Sequence, residues 1–216
     1  MTERNLKIAG ILAFVGAAQW ILFVILAESY YPNYNVSQNF LSDLGATCPI
    51  GGGACTINYP SSTIWNATLA LMGLFAVSSA YLFRLEVKKR TFTIFFGLWG
   101  LGSLLAGIFP ETYLGIHELS SYIAFVSGAI AAILAFRFIR SPFRYVSLAL
   151  GILVLAWLFP VLFSGPFTRA FGGKLGAGFV ERMAVYPIVI WQIGLGAQLM
   201  NGIGAIRDFI RPVTTL

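Results

Sequence analysis

Apolar residues run almost unbroken through six stretches of the chain, at 8–28, 62–84, 92–109, 117–139, 145–164 and 180–203, with polar or Gly/Pro-containing breaks between them. Each stretch is close to the ~20 residues a helix needs to cross a hydrocarbon core of ~30 Å. The pattern predicts an all-α chain, a polytopic membrane protein folded as a six-transmembrane-helix bundle, with residues 1–216 forming a single integral membrane domain. The first stretch is too long for the apolar core of a signal peptide, and no convincing cleavage site follows it, so it is expected to stay as a spanning helix. The longest breaks, 29–61 and 165–179, fall on the same side of the membrane as each other and are predicted as the two long outer loops.

Composition narrows this further. Of the 216 residues 58% are hydrophobic and 10% charged, and the mean hydropathy is +0.81. Ordinary soluble domains carry about a quarter charged residues, so cytosolic enzymes, nucleic-acid binders and disordered linkers are excluded. The net charge of +6 has a topological explanation. All of the 14 Lys and Arg residues except Arg169, Lys174 and Arg182 fall on one side of the predicted membrane. By the positive-inside rule that side is cytoplasmic, and both termini lie there. Contact with anionic lipid is a secondary consequence.

The acidic residues distribute the other way, with Glu28, Asp43, Glu111, Glu118 and Glu181 on or near the outer side together with His117, the single histidine. Tyr30, Tyr31, Tyr34, Tyr59 and Tyr113 sit where an outer aromatic belt is expected. Cys48 and Cys55 are the only cysteines, and both lie in the long first outer loop. An oxidising outer compartment and a glycine-rich intervening segment favour a disulfide between them, with free thiols or half a metal site as the other readings.

Ionisable groups beside spanning helices are costly, so their positions carry information. Three segments place them at outer helix ends. They are Ser37-Gln38-Asn39-Phe40-Leu41-Ser42-Asp43-Leu44-Gly45, then Phe109-Pro110-Glu111 with His117-Glu118-Leu119-Ser120-Ser121, and finally Glu181-Arg182. His117 and Ser121 are four apart and share a helix face. Pro110 is expected to end the third span, and the tight turn after it brings Glu111 close to His117. Glu118 and Glu181 also complement the positive N-terminal ends of their helices, which is the plainer explanation of both.

The combination of Asn39-x-x-Ser42-Asp43-Leu44-Gly45, Phe109-Pro110-Glu111 followed by His117, and Glu181-Arg182 opening the last span resembles an uncharacterised six-helix prokaryotic membrane family, domain of unknown function 998. The resemblance covers nearly the whole chain. It implies a six-helix bundle with an outward-facing polar cluster, in the cell membrane of a prokaryote, and it implies no particular reaction.

Three readings of the cluster stand side by side. In the first, Asp43, Glu111, His117 and Glu181 hold one divalent cation, for which oxygen ligands and a single imidazole suit Ca, Mg, Mn or Zn. Such an ion would act on the phosphate or ester of a membrane lipid, with Asp43 and Glu111 as holding carboxylates and His117 as proton carrier. Ser42, Glu118, Ser121, Glu181 and Arg182 complete the ligand-binding set. In the second, no metal takes part and Ser42 or Ser121 is a nucleophile with His117 as its base. Ser42 beside Asp43 also reads as a turn or helix cap. In the third, Arg182 pairs with Asp43 or Glu111 and His117 bonds a carbonyl, so that the cluster is a salt-bridge lock in a non-catalytic subunit or binding protein.

The expected partners are membrane lipids, with no nucleic acid, and the chain leaves room for a homo-oligomer or a membrane complex. The run Gly172-Gly173-Lys174-Leu175-Gly176-Ala177-Gly178 lacks the Ser or Thr and the earlier glycine of a phosphate loop and is expected to be a flexible outer loop, from which Lys174 and Arg169 reach toward lipid phosphate. Gln19 and Gln192 lie mid-span, and Pro160 and Pro187 interrupt spans five and six. No charge is placed at mid-depth, so ion conduction and transport are disfavoured.

Overall fold

A computed structural model describes residues 3–49, 53–163 and 174–206. Arg169, Gly172, Gly173 and the basic tail beyond Ile206 lie outside the described residues. The chain is all-helical, and among the described residues six helices are long and apolar enough to cross a membrane. They are α1 (Glu3–Tyr30), α2 (Ser61–Glu86), α3 (Arg90–Ile108), α4 (Leu114–Ala135), α5 (Phe143–Phe163) and α6 (Ala177–Met200). Each packs on its neighbour in sequence, α6 closes the ring against α1, and α4 touches α6 across it.

The bundle's exterior is as apolar as its interior. Leu22 and Phe159 are 67% and 68% exposed, alongside Ile25, Ile116 and Leu119. A surface of this kind suits hydrocarbon rather than water, and the chain is a multi-pass membrane protein.

The helix ends depart from the apolar pattern where local chemistry intervenes. Helix α1 starts at Glu3, ahead of residue 8, and Glu3 and Lys7 form an i,i+4 pair at 3.7 Å on its first turns. Helix α4 stops at Ala135, short of residue 139. Residues 136–138 tighten into i→i−3 bonds, and Ile139 pairs with Ile206 in an isolated antiparallel bridge. Pro160 and Pro187 lie inside α5 and α6 without ending either helix. A spanning helix tolerates this because packed neighbours shelter the backbone groups a proline leaves unpaired.

Close approach, rather than apolar area, joins the helices, since lipid tails are as apolar as leucine. A Cβ on Gly10 would lie 2.7 Å from the Gly196 carbonyl oxygen, and one on Gly196 would lie 2.7 Å from that of Gly10, so α1 and α6 meet backbone to backbone. Polar staples then tie the pairs together. Ser79 donates to Ala9 O (2.8 Å), Gln192 Nε2 to Ala13 O (3.0 Å), and Gln19 Nε2 to Thr68 O (3.0 Å). The two mid-span glutamines are therefore satisfied by other helices. Trp99 Nε1 completes the set by donating to Gln192 Oε1 at 2.5 Å.

Gly196→Ala is expected to push α1 and α6 apart and lower stability by about 1–3 kcal/mol, read as an earlier thermal melt in detergent. An unchanged melting temperature would show that the contact tolerates a methyl group.

Candidate functional site

The long loop between α1 and α2 folds over one end of the bundle, and its own short polar side chains shape it. Asn35 Oδ1 accepts from the backbone N–H groups of Ser37 (3.0 Å) and Gln38 (3.2 Å). Asn39 Oδ1 accepts from Asn35 N (2.9 Å), and Asp43 Oδ2 accepts from Phe40 N (2.8 Å) and Asn39 Nδ2 (3.3 Å). Three side chains spaced four apart thus stand in for missing secondary structure. Farther on, a Cys48–Cys55 disulfide closes a small ring beside a two-residue bridge between Thr47 and Thr56.

The loop is fastened to α6. Ser37 O accepts from Phe179 N at 3.3 Å, and a Cβ on Gly178 would lie 2.5 Å from Val36 O, so glycine is needed where the loop backbone crosses. Gly176 has φ +87° and sits under Ser37 for the same reason. The described part of the glycine-rich run is therefore a seat for the loop. Glu181 Oε2 accepts from Leu41 N (2.5 Å) and Ser42 N (3.4 Å), which caps the 3-10 turn Ser42–Leu44.

Arg182 forms the lock, with partners other than Asp43 or Glu111. Its Nη2 donates to Glu28 Oε1 at 2.7 Å and to the Tyr34 hydroxyl at 2.7 Å. Its Nη1 donates to Asn39 O (3.2 Å) and Gly178 O (3.1 Å). Asp43 is unsuited as the partner because its carboxylate is turned inward to its own loop. Glu28 stands two residues before the end of α1, where that helix packs beside α6. Burial pushes the Tyr34 phenol above its ordinary pKa, against the opposing pull of Arg182, and the neutral hydroxyl donates onward to Phe40 O at 3.0 Å.

Below this lock lies a cavity lined by Ser42, His117, Ser121 and Glu181 at its polar end and by Trp20, Trp65, Leu69, Met72, Trp99, Phe125 and Val185 along its body. About 30 Å³ of it admits the centre of a water-sized sphere, room for about two waters. His117 is 7% exposed, and its Nδ1 lies 2.9 Å from the Phe109 carbonyl oxygen. A carbonyl only accepts, so Nδ1 carries the proton, and in the neutral ring Nε2 is the basic nitrogen. Glu111 stands beside His117, Asp43 and the Ser42 side chain.

The three predicted segments therefore come together at one end of the bundle, but not all their residues join the cavity. Glu118 is exposed on the outer face of α4 and stands apart. Asp43 and Arg182 serve the loop and the lock. Among the described residues no three His, Cys, Asp or Glu side chains converge as a metal-ligand set. Asp43 and Glu181 direct carboxylate oxygens at backbone N–H groups, and His117 Nδ1 faces a carbonyl. As placed, these described side chains do not converge as a set that would hold a divalent cation. Sequence reasoning missed Glu28 and Tyr34 as the partners of Arg182, and it missed the tryptophan-lined body. The signal for the latter lay in Trp20, Trp65 and Trp99, which stand on three different helices.

A multi-pass helical membrane protein with a loop-capped, amphipathic cavity at one end of its bundle is what fold and site define together. The chain belongs to the family described as Protein of unknown function (DUF998), whose model matches residues 14–198. No curated protein and no solved structure matches the chain.

Breaking the lock from one side strands a largely buried charge. Glu28→Gln and Arg182→Met are each expected to cost about 3 kcal/mol and to expose the loop to limited proteolysis. The Glu28→Gln/Arg182→Met double variant should lose less than the two single losses combined, measured as a coupling energy in a double-mutant cycle. Strict additivity would show that the pair does not act as a unit.

Proposed function

We propose that the loop-capped end faces the outside of the cell and that the polar end of the cavity takes a hydroxyl or amine from the headgroup of one membrane lipid, a group that matches room for about two waters. The orientation is supported by the Lys and Arg distribution and by a disulfide in the capping loop. The observation that carries the reading is the cavity's two-part lining. Hydroxyls, an imidazole and a carboxylate crowd one end, while the remainder, Ser103 apart, is aromatic and aliphatic. The headgroup end of an amphiphile matches that division. Of the cation and the lipid headgroup expected at this site, the geometry favours the headgroup.

Charge narrows the headgroup. Asp43, Glu111 and Glu181 gather here, and the nearby cation, Arg182, is engaged by Glu28 and by loop acceptors. Among the described residues gathered at this end a phosphate would meet carboxylates without a free counter-charge, so a neutral or cationic headgroup bearing hydroxyl or amine donors fits best. The reading extends to hydrolysis or group transfer on that lipid. His117 Nε2 takes a proton from water or from the Ser121 hydroxyl one turn along α4, and the Glu111 carboxylate beside it stabilises the imidazolium.

The second reading, a non-catalytic subunit whose polar cluster fixes the fold, is favoured by the Arg182–Glu28 lock. The two are separated by substitutions that spare the lock. Glu111→Gln and His117→Asn are expected to keep the wild-type stability within about 1 kcal/mol while lowering the amount of co-purifying or added lipid seen by native mass spectrometry by tenfold or more, about 1.4 kcal/mol. Variants that misfold would favour the structural role. Well-folded variants with unchanged lipid occupancy would defeat the binding reading.

A further inference from the structure

We infer that the groove between α2 and α3, at the end of the bundle away from the capping loop, seats one anionic glycerophospholipid of the surrounding leaflet. Its phosphate lies between Arg84 and Arg90, and one acyl chain lies along Val77, Ile94, Gly97 and Leu101. This is a second site, and it stands independently of the function proposed for the capped cavity.

The groove follows from where this helix pair is tight and where it is not. A Cβ on Gly73 would lie 2.5 Å from Gly100 O, and one on Gly100 would lie 2.8 Å from Gly73 O, so the two backbones touch there. Three residues nearer the connecting turn, a Cβ on Gly97 would meet only Ala80 Cβ, at 4.0 Å, among the described residues. Space is left beside the seam that neither helix fills. About 500 Å³ of the groove admits the centre of a water-sized sphere, against about 30 Å³ of the capped cavity. Ile94 and Leu101 in its wall are exposed, so it opens toward the bilayer and not into the bundle.

Length and charge name the occupant. From Arg90 to Leu101 the lining runs about 16 Å along α3, close to one leaflet's half of a ~30 Å hydrocarbon core. Both arginines stand at the turn end, where α2 finishes at Glu86 and α3 begins at Arg90, which is headgroup level. Neither guanidinium makes an ion pair or side-chain hydrogen bond among the described residues. The neighbouring carboxylate, Glu86, is buried and accepts from Asn5 Nδ2 of α1 at 2.7 Å, so it leaves both charges uncompensated. Lys88 and Lys89, exposed in the turn, add to the positive field. Arginine forks match phosphate oxygens two at a time. A zwitterionic headgroup brings its own cation to this field, and a free phosphate leaves the apolar length empty. Attraction of basic turns to anionic lipid is general; the groove beneath the two arginines makes it a site.

The test is native mass spectrometry of the whole chain in detergent, with palmitoyl-oleoyl phosphatidylglycerol against phosphatidylcholine of the same chains. Wild type is expected to retain the anionic lipid about tenfold more tightly. Arg84→Gln/Arg90→Gln, at two exposed positions, should abolish that preference. Arg137→Gln/Arg140→Gln, which removes two exposed cations between α4 and α5 at the same end of the bundle, should preserve it. No preference in wild type, or one that survives loss of Arg84 and Arg90, would overturn the inference. Equal loss in the control pair would overturn it too, by assigning retention to diffuse charge. Gly97→Leu, which fills the groove, should lower retention of phosphatidylglycerol about tenfold with both arginines intact. Unchanged retention would overturn the seat for the chain. Should Gly97→Leu fail to fold, photolabelling of wild type by phosphatidylglycerol with a diazirine in its acyl chain decides. Adducts on residues 94–101 support the seat, and adducts confined to other helices overturn it.

Discussion

The bond from Arg182 to Glu28 holds the capped end of the bundle together, because it joins three parts of the chain that nothing else fixes so firmly. Glu28 ends α1, Arg182 begins α6, and Tyr34 and Asn39 bring the capping loop to the same guanidinium. Arginine suits this position, since its fork of donors meets four acceptors from different directions and a lysine would not. A loop of this length costs chain entropy to order. Its internal Asn35–Asn39–Asp43 bonds hold its shape, but only the contacts to Arg182, Glu181, Gly176 and Gly178 place that shape over the cavity.

The lock also settles the electrostatics below it. With Arg182 facing Glu28 and the loop, its charge is neutralised within the cap and does not reach the cavity as a free cation. What remains at the polar end is acidic and hydroxylic. That division of labour lets neighbouring residues in sequence have different tasks. Glu181 faces the loop turn and the cavity, while Arg182, one residue on, faces α1 and the loop. A salt bridge between the adjacent pair would have been the simplest guess, and helix geometry opposes it because successive residues point about 100° apart.

How much of this was legible in the chain depends on the physics behind each feature. The six helices were plain, because a run of apolar residues long enough to cross a bilayer has few other uses. The gathering of Ser42, Glu111, His117 and Glu181 at one end followed from their shared position near helix ends. The pairing of Arg182 with Glu28 was not legible. Both residues sat on the predicted outer side, but the choice among Glu28, Asp43 and Glu111 depended on how α1 and α6 meet at Gly10 and Gly196 and on Asp43 turning back to cap its own loop. Glu118 was over-read for a related reason. It neighbours His117 in sequence, yet one residue along a helix is a different face, and it is exposed. The cavity body escaped notice because Trp20, Trp65 and Trp99 lie on three different helices, and no spacing within one segment links them.

Depth finally separates the polar groups that hold the fold from those available for chemistry. In the middle of the bundle Gln19, Gln192, Ser79 and Ser147 are all matched to partners on other helices, which is what a low-dielectric interior demands. These groups are satisfied internally. At the capped end the balance differs. His117 commits Nδ1 to a carbonyl, leaving Nε2 for other use. The Ser121 hydroxyl shares its face, and the Trp20 N–H has no partner among the described residues. A fold that pairs its mid-depth amides and leaves polar capacity in a cavity at the capped end is consistent with the proposed reading, in which that end receives a group from the bilayer.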